Sequence, residues 1–153
     1  AGRVGDWLRV DSENFAAGPV ERILARYPAA AAVAVIGVPD PLAGDQVMAV
    51  VEPVAGAEFD AADFTEFLSG QDDLGTKWTP RFVRVTSAIP VVGHGKIDKK
   101  PLRREAWLCD DPVWWRPPRT SSYTLMTEAD RAALHEQFVS HGRIQAYPDP
   151  QQN

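Results

Sequence analysis

Two apolar stretches joined by a turn that no helix can pass through constrain this chain more than any other feature. Ala32 to Val38 is a short run rich in β-branched residues, ended by Gly37-Val38-Pro39-Asp40-Pro41. Proline fixes φ and donates no backbone hydrogen bond, and Asp and Gly favour turns. The run therefore reads as a buried strand followed by a rigid turn. Gln46 to Val54 reads as a second strand through Val47, Val50 and Val51, with Pro53 marking either an edge position or the strand's end.

The flanking segments supply further elements. Trp7, Leu8, Val10 and Phe15 surround the polar step Asp11-Ser12-Glu13-Asn14, which predicts a small β-hairpin. Gly18-Pro19 opens a helix, since proline is tolerated in the first turn. Val20, Ile23, Leu24 and Tyr27 recur at helical spacing, and Pro28 is expected to stop that helix. Asp60 and Asp63 form a capping pair for a helix running to about Ser69, with Phe64, Phe67 and Leu68 on its apolar face and Gly70 as its stop. Arg81 to Val85 reads as a third strand, and Pro101 to about Trp107 as a short helix. The fold class is α+β: a small β-sheet with an amino-terminal hairpin and helices packed on it, and a carboxy-terminal extension with one helix.

The composition changes after residue 108. Cys109 to Tyr123 holds Pro112, Trp114, Trp115, Pro117, Pro118 and a Ser/Thr cluster, which reads as a linker or an extended wrap. Thr127 and Asp130 open a helix from Glu128 to about Ser140, and residues 143–153 read as a frayed tail. The expected division is residues 1–108 as a domain and residues 109–153 as a Trp/Pro-rich linker, helix and tail. The five tryptophans are expected to serve packing, with Trp114-Trp115 the pair best suited to docking on another domain or a membrane interface.

Charge and cysteine content exclude several classes. A net charge of −5 argues against a general nucleic-acid binder. The single cysteine, Cys109, rules out an internal disulfide, which fits a cytoplasmic protein. No apolar stretch approaches the roughly 20 residues that span a bilayer, and peripheral membrane contact is the remaining route to a membrane. His135 and His141 lack the i, i+4 spacing of a helical metal pair, and no metal is expected on this chain. The chain starts at Ala1 without an initiator methionine, so the expectation is a fragment or processed piece of a longer protein.

The chemistry is concentrated in Pro90-Val91-Val92-Gly93-His94-Gly95-Lys96-Ile97-Asp98-Lys99-Lys100-Pro101-Leu102. Gly93 and Gly95 permit backbone conformations that side chains forbid. A lysine at the end of such a loop is a compact charge suited to phosphate and carboxylate oxygens. A Walker A loop is excluded, because Pro90 stands where its first glycine belongs and Ile97 replaces its Ser or Thr. On residue types alone, a solvated face is the default reading of the run of Lys96, Lys99, Lys100, Arg103 and Arg104, with attraction of phosphates or an anionic membrane surface as the alternative.

This segment resembles the last signature of the adenylate-forming superfamily, which includes acyl-CoA synthetases, peptide-synthetase adenylation domains and luciferases. Pro90, Gly95, Lys96, Ile97, Lys100, Leu102 and Arg103 carry the match. Gly2-Arg3-Val4-Gly5-Asp6-Trp7-Leu8-Arg9-Val10, with Glu13-Asn14-Phe15 and Pro19-Val20-Glu21, resembles the superfamily's hinge and first hairpin. Ala34 to Asp40, Gly44-Asp45 and Val47 to Val51 resemble its next strand pair. The hairpin wording is similar to the fatty-acid-transport or very-long-chain acyl-CoA synthetase branch.

The resemblance implies the mobile carboxy-terminal lid domain of a fatty-acid–CoA ligase. Such an enzyme activates a carboxylate with ATP to acyl-AMP and then transfers the acyl group to CoA. It implies ATP, CoA and Mg2+ as cofactors of the whole enzyme, bound mostly by an amino-terminal adenylation domain, which is the expected partner alongside the fatty acid. Lys96 is then the adenylation lysine, and Arg3 approaches the nucleotide. Gly5 or Asp6 supplies the hinge, and Ser12, Glu13 and Asn14 face the active site in the thioester-forming pose. Gly93, His94 and Gly95 shape the lysine loop, with Val92 and His94 replacing the common hydroxyl residues. The fragment alone is expected to be inactive. Alternatives are a non-catalytic binding or regulatory module of the same fold, or a ligase that loads a carrier protein.

Overall fold

The computed structural model describes residues 6–152, so Arg3 and Gly5 lie outside the described residues. In chain order the elements are β1 (Trp7–Val10), β2 (Glu13–Ala16), α1 (Ala17–Leu24), β3 (Ala30–Pro39), β4 (Asp45–Pro53), α2 (Ala61–Ser69) and β5 (Phe82–Val85). They continue with β6 (Val91–Val92), β7 (Lys96–Ile97), α3 (Lys100–Glu105), β8 (Val113–Trp115), β9 (Thr124–Leu125), α4 (Glu128–Ser140) and a 3-10 turn at Ile144–Ala146. Strands β3-β4-β5-β8-β9 form one sheet in that order, and β1-β2 and β6-β7 are separate hairpins. Only the β4–β5 pairing in the sheet is parallel. This is the α+β architecture that the sequence implies.

The apolar runs of β3 and β4 follow from cover on both faces. Val33, Val35, Val47, Ala49 and Val51 face the first hairpin, α1 and α2, together with Phe15, Val20, Leu24 and Phe64. Ala34, Ile36, Val38, Met48 and Val50 face the other way, onto Leu102, Trp107, Leu134 and Phe138. Strands buried on two sides show continuous apolar runs rather than alternation. Pro53 closes β4 and does not mark an edge, because β4 lies between β3 and β5.

Helix α1 ends at Leu24, four residues before Pro28, so the proline is not its stop. The backbone instead tightens, with Arg26 N donating to Ile23 O and Tyr27 N to Leu24 O, both at 3.1 Å. Tyr27 is buried, and its hydroxyl donates to Asp63 Oδ2 at 2.8 Å. Asp60 caps α2 by accepting from Asp63 N at 3.1 Å, and Gly70 is its C-cap. The helix opened by Thr127 has a full capping box with Asp130.

The largest departure from the sequence reading lies after residue 108. Cys109 to Tyr123 is not a linker: β8 pairs with β5 through Phe82↔Trp115, Val83↔Trp114 and Arg84↔Val113. Trp115 stacks on Phe82 at 5.9 Å and Trp114 packs against Phe59 at 5.7 Å, so this pair serves the core rather than docking. Arg84 ties the two parts together, with Nε donating to Asp111 Oδ2 at 2.9 Å and Nη1 2.8 Å from Glu105 Oε1. The tail is not frayed either. Tyr147 lies edge-on to Trp107 and Phe138, and Arg143 Nε donates to Asp40 O at 3.0 Å. Trp7, expected to pack, is 55% exposed.

Because β8 covers β5, ending the chain after Leu108 should expose the β5 edge and Phe82. The expected result is loss of cooperative thermal unfolding by circular dichroism, with aggregation on size exclusion. A sharp, unshifted melt would show the extension to be dispensable.

Tyr123 gives a second prediction. Its hydroxyl donates to Pro80 O at 2.5 Å, and burial, opposed by Arg116, raises its pKa to about 12. An unfolded tyrosine releases its proton near pH 10. Its contribution is therefore intact below about pH 10 and is lost as pH climbs toward about 12. Tyr123→Phe should flatten the decline of denaturant stability across that window, and an equally steep decline would assign it to other groups.

Candidate functional site

Lys96 lies on the short hairpin β6–β7, where Val91 pairs with Ile97 and Val92 with Lys96. The turn between them is Gly93-His94-Gly95, with φ of +55° at Gly93 and +86° at Gly95. A Cβ on either glycine would meet nothing within 4 Å, so backbone conformation, not crowding, requires glycine there. The hairpin projects into solvent: Val91, Val92 and Ile97 are 60%, 50% and 37% exposed. Lys96 is also exposed and has no ion-pair partner among the described residues. The root of the hairpin is firmer. Asp98 N donates to Pro90 O at 2.8 Å, and Ile89 N donates to Glu52 Oε1 at 2.9 Å.

Directly below that root is an ionic cluster. Lys99 Nζ sits 2.6 Å from Glu21 Oε2 and 3.1 Å from Asp6 Oδ1, with only 11% of its side chain exposed. Arg103 Nη2 reaches the same Asp6 oxygen at 3.2 Å. Glu21 Oε2 also accepts from Val35 N at 2.8 Å. Two carboxylates and two cations from four places in the sequence therefore meet beside Asp6. This largely enclosed group is unlike a solvated surface pair, which contributes about 0–1 kcal/mol.

The first hairpin runs away from this cluster. Leu8 pairs with Phe15 and Val10 with Glu13, leaving Asp11 and Ser12 as a two-residue turn with φ of +49° and +70°. Positive φ at both positions is the requirement of a type I′ hairpin turn. Glycine suits that geometry better than Ser12. The hairpin is fastened to the sheet by Arg9 N, which donates to Asp45 Oδ2 at 2.9 Å. Burial raises the Asp45 pKa, and the Arg9 amide and Arg143 oppose that shift. At Gly44 a Cβ would lie 2.5 Å from Arg9 O, and φ is +64°, so both space and conformation demand glycine. Asn14 Oδ1 accepts from Arg9 Nη1 at 3.2 Å, and Glu13 pairs with Lys77 at 3.5 Å.

Asp6 is thus joined to the segment that follows the lysine loop, through Lys99 and Arg103, while Ser12, Glu13 and Asn14 occupy the far end of the first hairpin. That end is roughly 13 Å from Asp6, four strand residues at about 3.3 Å each. No hydrogen bond or ion pair joins Lys96 to Ser12, Glu13 or Asn14 among the described residues. Sequence reasoning missed Glu21 and placed Lys99 in a solvated run. The signal for Glu21 was its position on α1, between Ala17 and Leu24 on the buried stripe.

Other features stand apart from this site. Burial raises the Cys109 thiol pKa against the opposing charge of Arg84, which favours the unreactive neutral form. A cavity of about 230 Å³ between the Pro39–Leu42 turn and α4 is lined by Phe82, Trp115 and Leu134, and contains none of the expected site residues. Among the described residues no three His, Cys, Asp or Glu side chains converge as metal ligands. No helix among them is long and apolar enough to cross a membrane.

Comparison with known proteins identifies the family of the chain. A steroid-22-oyl-CoA synthetase of Rhodococcus jostii is 51% identical over 144 residues, covering 94% of this chain and 26% of the relative. A medium/long-chain-fatty-acid–CoA ligase of Mycobacterium marinum is 51% identical over 114 residues, covering 74% of this chain and 23% of the relative. The chain thus spans about a quarter of the length of these curated relatives. Among solved structures, the amide bond synthetase McbA of Marinactinospora thermotolerans superposes with a TM-score of 0.59 at 35% identity, covering 72% of this chain and 22% of that one. The family model for the AMP-binding enzyme C-terminal domain matches residues 19–96. With this model matching about half of the chain and a relative 51% identical over 94% of it, the chain belongs to the AMP-binding enzyme C-terminal domain family.

Proposed function

We propose that this domain is the mobile lid of an AMP-forming acyl-CoA ligase acting on a lipid carboxylic acid, a fatty acid or a steroid side-chain acid. The observation that carries the reading is Lys96: an unpaired ammonium on a glycine-turned hairpin whose root is locked to the acid beside the expected hinge. The relatives' names supply the substrate class, and the aligned length of 144 residues reaches well into residues 109–153.

In the first half-reaction a carboxylate oxygen of the lipid acid attacks the α-phosphorus of ATP. The bond to the β-phosphate oxygen breaks, giving acyl-AMP and pyrophosphate. Two anions must approach one another, and Lys96 offsets the charge that accumulates between them. In the second half-reaction the CoA sulfur attacks the acyl carbonyl carbon and AMP departs with the electron pair of the broken acyl–phosphate bond. Ser12, Glu13 and Asn14 face the site in that pose, reached by rotation about Gly5 or Asp6. ATP, CoA and magnesium bind mostly to the larger amino-terminal domain, the partner of this one, and no step on this domain runs through the metal. Arg3 approaches the nucleotide. The domain alone carries no adenylation activity.

The test is Lys96→Ala in a full-length ligase carrying this domain, assayed with ATP, CoA and a panel of fatty and steroid acids. Acyl-adenylate formation should fall on the order of 10²-fold or more. Thioester formation from supplied acyl-adenylate should be retained. Undiminished adenylation would remove Lys96 from the mechanism.

A further inference from the structure

The five cations between Lys96 and Arg104 would pass as one solvated patch, yet the structure divides them sharply. Lys96 is exposed and unpaired, whereas Lys99, three residues on, is largely enclosed and held by two carboxylates. Each carboxylate comes from a different part of the fold. Glu21 belongs to α1, and its Oε2 is also bonded to the amide of Val35 in β3. Asp6 immediately precedes β1 and is itself one of the two expected hinge residues. Arg103 of α3 grips the same Asp6 oxygen from the other side. One ammonium thereby links the sheet, α1 and the entry of the chain to the root of the lysine hairpin.

Little slack separates Lys99 from Lys96. Three residues span at most about 10 Å, and the bond from Asp98 N to Pro90 O closes the opposite side of the hairpin. A shift of Lys99 therefore carries over to β7 and to Lys96. We propose that Lys99 is a positioning residue for adenylation: by clasping Glu21 and Asp6 it fixes where the Lys96 ammonium stands relative to the hinge. This rests on the adenylation role proposed above for Lys96. Its physical basis is preorganisation, because a charge that stabilises a transition state must already be in place when the reactants meet.

The half-reactions make the idea separable from general damage to the fold. Misplacement of a reacting group by about 1 Å costs on the order of 10²-fold in rate, and only adenylation uses Lys96. In a full-length ligase carrying this domain, Lys99→Met should slow single-turnover acyl-adenylate formation by on the order of 10²-fold. Thioester formation from supplied acyl-adenylate should change by less than about threefold, since that step does not use Lys96 and Arg103 still holds Asp6. Lys99→Arg, which keeps the charge between the carboxylates, should recover most of the adenylation rate. Glu21→Gln, which keeps an acceptor for Val35 N but weakens the hold on Lys99, should show the same split, and it replaces Lys99→Met if that variant does not fold. Equal losses in both half-reactions, or normal adenylation in Lys99→Met beside an inactive Lys96→Ala, would overturn the clasp and leave the role of Lys96 standing. Full adenylation by Lys96→Ala would remove both.

Discussion

The amide of Val35 lies on the outer side of β3, the strand that ends the five-stranded sheet, and a strand in that position leaves a row of backbone donors without a ladder partner. Glu21 Oε2 takes that amide at 2.8 Å, so α1 is held against the edge by a charge-assisted hydrogen bond as well as by Val20 and Leu24. A carboxylate so placed is itself partly enclosed and needs a cation. Lys99 supplies it at 2.6 Å and turns to Asp6 with a second donor. From this contact follow the seating of α1, the anchoring of the chain before β1 and the root of the hairpin that carries Lys96. One backbone donor thus ties α1, the start of β1 and the root of the Lys96 hairpin together.

The two-sided cover of β3 and β4 sets the remaining architecture. One face is closed by the first hairpin, α1 and α2, all within the first half of the chain. The other needs Trp107, Val113, Trp115, Leu134 and Phe138, most of them from beyond residue 108. The carboxy-terminal extension is therefore the second wall of the core. Arg84, in the strand that β8 joins, reinforces the junction through Asp111 and Glu105. The aromatic stack of Trp115, Phe82 and Trp107 runs across it.

Much of this was legible because local rules decided it. The Asp11-Ser12 hairpin, the Asp60 cap and the Thr127–Asp130 capping box depend on neighbours within a few residues, and each formed where its residue types called for it. The turn of the lysine loop was legible from Gly93 and Gly95, both at positive φ, whereas its chemistry was suggested only by the family resemblance. What was missed depends on long-range partners. Val113-Trp114-Trp115 is too short and too proline-flanked to announce a strand, and only the open side of β5 makes it one. Pro28 was given the end of α1, but Tyr27 leaves the helix first to reach Asp63, 36 positions along the chain. Lys99 looked like its neighbours because composition does not distinguish a lysine in water from one between Glu21 and Asp6.

In the adenylation role proposed for Lys96, the strength of its charge depends on its surroundings. In water a unit charge pair at 4 Å interacts by about 1 kcal/mol, against about 4 kcal/mol at the effective dielectric of a partly enclosed site. Val91, Val92 and Ile97 surround the Lys96 hairpin with exposed apolar surface that the domain itself leaves uncovered. A surface that closed over them would expel water from around the ammonium as it brought the reactants to it, and the same closure that delivers the lysine would strengthen it. The structure is split accordingly: an ionic root of Lys99, Glu21, Asp6 and Arg103, and an apolar, glycine-turned tip whose charge would gain most where water is excluded.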